Sequence, residues 1–196
     1  MAFEFKNLPY AYDALEPHID AKTMEIHHSK HHKTYFDKFT DAVKGTPAEN
    51  QPLEQVLKEL DASKGPVRNN GGGFYNHNLF WLCMSPAGNR TPSGKLGDAV
   101  NQTFGSYDNL KQKINDAGVG RFGSGFVWLI SNSAGTLEDN PLMPFAEKRG
   151  TPVFCVDVWE HAYYLKFQNR RPEYLNSFWN VASWKHAEEI YARIAH

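Results

Sequence analysis

Four histidines crowd into one short stretch of the chain, His27, His28, His31 and His32. His27, His31 and Tyr35 fall at i, i+4 and i+8, which on a helix sets two imidazoles and a phenol along one face. His28 and His32 lie about 100° round from that stripe, so at most one of the two stripes faces a given site. Further along, His77 follows Gly71-Gly72-Gly73 and sits among aromatics, where an unpaired imidazole needs a partner. Asp157 stands in an apolar stretch, with His161 four residues later. A carboxylate there is costly unless it is paired or bound to a cation. Taken singly, each residue also fits a bland role: a surface or hydrogen-bonded histidine, a salt-bridged aspartate. Taken together, three His and one Asp make a nitrogen and oxygen site suited to Zn, Fe, Mn or Ni, with no thiolate to bias it toward softer metals.

The elements that must position these groups are legible from periodicity and punctuation. From Asp20 to about Val43 the chain has neither Pro nor Gly, and its apolar and histidine positions recur every three or four residues. This predicts one long amphipathic helix with Asp20 as N-cap and an end at Lys44-Gly45-Thr46-Pro47. A short helix is expected around Pro52 to Leu60, then a helical segment from about Val67 to Met84 that contains the three glycines. Each costs roughly 1 kcal/mol against Ala in a helix, so close packing or room for a neighbouring side chain should compensate. Ser85 to Gly94 is dense in turn formers and marks a boundary between residues 1–86 and 87–196. Helical patterns follow near Lys95 to Phe104 and Tyr107 to Ala117. The period then changes at Phe126 to Ser131, a strand with Asn132-Ser133-Ala134-Gly135 as its turn, and again at Pro152 to Trp159. Helices around Arg171 to Asn180 and Trp184 to Ile194 close the chain. The fold class is α+β: a helical first part, then a second part with a small sheet.

Composition narrows the function. With 21 basic and 22 acidic residues in 196, the net charge of -1 offers no general footprint for nucleic acid or an anionic membrane, and a small partner is expected. No apolar run approaches the roughly 18 to 20 residues of a membrane span, and Met1 to Lys6 lacks a secretory pattern, so a cytoplasmic setting is the expectation. Cys83 and Cys155 are expected to be buried free thiols. Competing motifs fail on context. Glu25-Ile26-His27-His28 contains one Glu-x-x-His, whereas a di-iron bundle needs two. Gly118-Val119-Gly120-Arg121-Phe122-Gly123 spells a dinucleotide fingerprint but follows a helical pattern and leads into a strand. Neither His-Glu-x-x-His nor Gly-x-Ser-x-Gly occurs.

Over nearly its whole length the chain resembles the iron/manganese superoxide dismutases. The resemblance is carried, in order, by Leu8-Pro9-Tyr10, Ala14 to Asp20, His27-His28-Ser29-Lys30-His31-His32-Lys33-Thr34-Tyr35, Asn69-Asn70 before Asn76-His77, Phe122-Gly123-Ser124-Gly125, Asp157-Val158-Trp159-Glu160-His161-Ala162-Tyr163-Tyr164 and Gln168-Asn169-Arg170-Arg171-Pro172. It implies a helical hairpin domain followed by an α/β domain with a small antiparallel three-stranded sheet. It also implies one manganese ion, favoured over iron, held by His27, His77, Asp157 and His161 with a solvent molecule as fifth ligand. Two superoxide anions would be converted to dioxygen and hydrogen peroxide. By the same resemblance Tyr35 and His31 stand at the substrate channel, with Tyr35 relaying protons. Glu160 and Tyr164 reach across the interface of a homodimer, or of a tetramer, to the partner's ligand histidine and channel histidine. Lys30 and Arg171 attract the anion at the channel entrance. Trp81, Trp128 and Trp159 keep the metal dry.

The chain departs from the family pattern where a Gln is set against the metal's solvent. Gly73 occupies the position used by iron-type members, and Glu138 the one used by manganese-type members. Phe126 stands where Trp is common. The stretch from Gly135 to Asp139 is several residues short, which should leave the sheet's middle strand truncated. An ionised Glu cannot donate the hydrogen bond a Gln would give. The alternative expectation is thus a metal-binding homologue with impaired turnover. A two-His, one-carboxylate oxygenase is a more distant rival, disfavoured by the third histidine.

Overall fold

A computed structural model of the chain describes residues 3–59, 65–132, 137–140 and 150–195. The first helical run begins where expected: Asp20 caps it, its carboxylate accepting from the Thr23 amide at 2.8 Å and from the Thr23 hydroxyl at 2.6 Å. The run is not uniform. Helix α1 (Ala21–Ile26) passes into a π-helical turn, His27–His32, before α2 (Lys33–Val43) resumes the α-helical ladder. The Lys33 amide reaches back to the His28 carbonyl, the wide i to i−5 bond of such a turn. Widening the helix here brings His28 and His32 inside together with His27. The two histidine stripes are both packed, against different neighbours.

After α3 (Leu53–Glu59), helix α4 (Gly65–Leu82) lies antiparallel to α2 as the second arm of a hairpin. Its glycines repay their helical cost by contact. A Cβ on Gly71 would stand 2.9 Å from the Phe39 ring, and one on Gly73 2.5 Å from the Tyr35 ring. The α2 side chains therefore sit directly on the α4 backbone.

Residues 85–93 contain no helix or strand and tie themselves to the C-terminal part. The Ser85 amide donates to the Val181 carbonyl, and Glu188 accepts from Asn89 and Ser93. Helices α5 (Gly94–Phe104) and α6 (Tyr107–Gly120) precede the sheet. Gly118 lies inside α6, where a Cβ would meet Leu175 at 2.9 Å, so the glycine string that mimics a dinucleotide motif serves helix packing. The sheet is antiparallel in the order β2-β1-β3, formed by β1 (Phe126–Ser131), β2 (Leu137–Asn140) and β3 (Thr151–Asp157). The strand after the shortened segment, β2, is four residues long but sits at the edge; the middle strand is β1, six residues long, so the expected truncation of the middle strand is not found. The turn at 133–136 lies outside the described residues, as do the side chains of β2, Glu138 included. β1 and β3 are buried on both faces, which explains their continuous apolar runs. Each fully buried Val, Leu or Phe contributes roughly 1.5–3 kcal/mol. Helices α7 (Tyr164–Phe167), α8 (Arg171–Phe178) and α9 (Lys185–Ile194) follow the sheet, α8 packing on α6 and α9 on β3. Phe154 of β3 stacks on Trp184 at 4.2 Å between ring centres. Cys83 and Cys155 are free and buried side by side, with the Cys155 amide 3.4 Å from Cys83 Sγ.

Candidate metal centre

Four elements from both parts of the chain converge on one point. The π-turn brings His27, α4 brings His77, the last residue of β3 is Asp157, and the tight turn Glu160–Ala162 after it carries His161. Their ligand atoms all lie within 4.8 Å of one another. Asp157 is the hub: its Oδ2 is 3.0 Å from His27 Nε2, 3.2 Å from His161 Nε2 and 3.8 Å from His77 Nε2. Its Oδ1 accepts the Trp159 amide at 2.8 Å, which fixes the carboxylate plane. The Tyr174 hydroxyl donates to the Asp157 carbonyl, holding the strand end in place.

Protonation states follow from burial. Desolvation pushes the His27 imidazole down to about 4, against the pull of Asp157, and pushes His77 well below its ordinary value. Burial also works to raise the Asp157 carboxyl, but the imidazoles of His161 and His27 outweigh it and hold the group below the usual carboxylate range. At neutral pH His27 and His77 offer buried neutral imidazoles beside an ionised carboxylate, the forms that ligate a cation. His77 Nδ1 is 2.6 Å from the Gly73 carbonyl, so this nitrogen carries the proton and the Nε2 lone pair faces the cluster. Nε2 of His27 and of His77 are buried with no hydrogen-bond partner in acceptable geometry. Orphaned acceptors converging on one carboxylate oxygen fit a metal ion, and the donor set suits Mn or Fe.

The other predicted residues are distributed around this centre. His31 stacks on His161, ring centres 4.1 Å apart and planes 18° from parallel. The Tyr35 ring lies 5.3 Å from that of His77, and burial raises its phenol. Trp81 and Trp128 are buried, while Trp159 is about a third exposed and stacks on His161 at 5.6 Å. Lys30, Glu160 and Tyr164 are exposed, the last two flanking His161 in sequence. The Arg171 guanidinium is fully engaged. It donates to the Tyr163 hydroxyl at 3.0 Å and to the carbonyls of Gly118, Arg121 and Gly123 at 3.1, 2.6 and 2.8 Å, clamping the segment before β1.

Residues that the sequence reading left off the metal-facing stripe also shape the site. His32 accepts a hydrogen bond from Trp81 Nε1 at 3.0 Å, and its ring lies 5.3 Å from that of His77, within 11° of parallel. His28 is held by the Lys6 carbonyl and the Tyr12 hydroxyl. A cavity of about 370 Å³ opens beside His77, with Tyr35, Asn76 and Phe126 among its walls and Arg68 at its edge. The run Asn69-Asn70 and Asn76, polar positions flanking a glycine stretch in an otherwise apolar helix, is the sequence signal for it.

Comparison with known families agrees with this geometry. The family described as iron/manganese superoxide dismutases matches twice: its alpha-hairpin domain over residues 2–85 and its C-terminal domain over 92–190. A superoxide dismutase [Mn] from Pseudomonas aeruginosa is 49% identical over 197 residues, covering 95% of both chains. One from Listeria innocua is 48% identical over 198 residues, covering 96% of this chain and 97% of its own.

Proposed function

Since the chain belongs to the iron/manganese superoxide dismutase family, we propose that it dismutates superoxide with one manganese ion per subunit, held by His27, His77, Asp157 and His161. The observation that carries this reading is the convergence of four ligand atoms within 4.8 Å, two of them buried nitrogens with no other partner. Bound there, the ion would supply the one-electron redox chemistry by which two superoxide anions and two protons become dioxygen and hydrogen peroxide.

The chain's own groups do the rest. A single carboxylate among three neutral imidazoles keeps the ligand charge low, which makes two oxidation states of the ion accessible. The Trp159 amide holds Asp157 Oδ1, and the Gly73 carbonyl holds His77 in the tautomer that presents Nε2. Tyr35, whose raised phenol stays protonated at neutral pH, is the proton donor beside His77, and His31 stacked on His161 is its neighbour in the relay. Buried Trp81 and Trp128 exclude bulk water and so limit protons to that relay.

Lys30 is exposed and its charge draws the anion inward. Arg171 adds charge from behind the segment it clamps. Glu160 and Tyr164, exposed in the single chain, are the contacts of a homodimer or homotetramer in which each site borrows from the partner. Two free thiols and a near-neutral charge suit a cytoplasmic protein. The boundary between hairpin and C-terminal domain falls at residues 86–87. The deciding experiment is elemental analysis of the purified protein coupled to a dismutase assay after loading with each metal. Full occupancy with no turnover would sink the reading.

A further inference from the structure

We propose that His32 is a positioning residue for the metal centre: it holds the Trp81 indole against the ligand His27 while its own ring lies along the ligand His77. The inference rests on the dismutase reading only for the ion that these ligands hold. His32 is not itself one of the converging ligands. The indole N–H can only donate, and Trp81 Nε1 is 3.0 Å from His32 Nδ1, so this nitrogen is the bare acceptor and the proton sits on Nε2. Nε2 faces the Phe74 carbonyl and the Asn78 side chain at the margin of hydrogen-bond geometry.

From His32 the contacts run to both ligands of the hairpin. The indole it holds stands edge-on to the His27 ring, centres 4.8 Å apart and planes at 72°. The His32 ring itself lies 5.3 Å from that of His77, within 11° of parallel, and 5.5 Å from that of Phe74. A single hydrogen bond to the Gly73 carbonyl leaves the His77 ring able to pivot, and a flat ring alongside removes that freedom. His32 and Trp81 are 1% and 4% exposed, so water cannot stand in for either partner and a broken bond leaves a buried N–H unpaired. The bond spans 49 positions and ties one arm of the hairpin to the other beside the ligands. It also accounts for the π-turn. In an α-helix residues five apart point about 140° from each other, so His27 and His32 could not both face α4. The wider turn at His27–His32 brings them toward one face, and wide turns of this kind are frequent at functional sites.

The test uses manganese-loaded protein with His32→Asn, His32→Phe and Trp81→Phe, and two readouts that need no superoxide: the dissociation constant of manganese by chelator competition, and the Mn(II) electron paramagnetic resonance spectrum of the folded protein. Asn carries an oxygen where His carries Nδ1 and so keeps the acceptor; Phe keeps a flat ring and loses it. H32F should weaken manganese binding about tenfold and shift the zero-field splitting, while H32N stays within about twofold and keeps the parent spectrum. W81F reads the same bond from the donor side and should also cost about tenfold, which keeps the proposal refutable if H32F does not fold. Adding H32F to W81F should cost less than about twofold more, since the bond is already gone. Parent-like binding and spectrum in H32F or in W81F would overturn the proposal and leave the dismutase reading intact. So would an H32N variant as impaired as H32F, or an undiminished effect of H32F in the W81F background. The expected shifts in a protein that never turns over superoxide would instead remove the dismutase reading while His32 keeps its role.

Discussion

Replacing Gly73 by Ala tests the contact on which the site depends. In a helix interior Ala is favoured over Gly by about 1 kcal/mol. Opposing this, the new methyl would stand 2.5, 2.6 and 2.8 Å from Tyr35 Cδ1, Cγ and Cε1, where ordinary contacts are about 3.5–4.0 Å. All three atoms belong to one flat ring, so no terminal rotation relieves the overlap and the ring must translate away from α4. Overpacking of this kind costs roughly 1–3 kcal/mol, leaving G73A destabilised by about 0–2 kcal/mol net, or up to some 8 °C in thermal midpoint for a chain of this size. The same displacement carries the phenol away from His77 and should lower kcat. Because stability alone has many causes, the sharper assay is a double-mutant cycle with Tyr35→Ala. With the ring removed, G73A should become stabilising by about 1 kcal/mol, so the coupling between the two sites is on the order of 1–3 kcal/mol. Equal effects of G73A in both backgrounds, whether neutral or destabilising, would refute the claim that Tyr35 sits on the α4 backbone.

Other consequences are direct. Asp157→Ala removes the carboxylate shared by three imidazoles, and metal content by elemental analysis should fall from near stoichiometric to background; His28→Ala and His32→Ala should keep their metal while lowering the thermal midpoint, since both are buried in hydrogen bonds and ring stacks. Retention of metal by D157A would show that the ligand set is wrong. Arg171→Ala strips four acceptors of their donor and should cost about 3 kcal/mol in denaturant unfolding; a loss under 1 kcal/mol would mean the clamp is ornamental. The metal-free protein should lose stability as pH falls from about 6.5 to 4. His27 ionises near 4 when folded and near 6.5 when unfolded, so the unfolded state binds more protons throughout that window. The contribution is on the order of 3 kcal/mol at neutral pH, and buried His32, pushed down to about 3, works in the same direction. A flat urea midpoint between pH 7 and 4.5 would contradict this.

What could be read from sequence and what could not divides along a physical line. The four ligands were legible because each is anomalous where it stands: a carboxylate in an apolar strand, an imidazole among aromatics, histidines at helical spacing. Such groups are too costly to bury without a common partner, and the family pattern then named the set. The helix limits near Asp20, Gly94, Tyr107 and Arg171 followed from capping and punctuation, which act locally. The π-turn at His27–His32 was not legible, because spacings of three and four accommodate an inserted wide turn without breaking the pattern, and its consequence is spatial: it buries His28 and His32 alongside His27. Nor could the state of Arg171 be read, since its acceptors are backbone carbonyls some 50 positions away and carry no side-chain signature. The cavity was hidden for a related reason. It exists where Gly73 and Asn76 of one domain face Phe126 of the other, and a void is a property of the pair. The missing Gln signalled that something had changed beside the metal. On the α4 side the packing shows what Gly73 permits there: the Tyr35 ring lies directly on the helix backbone.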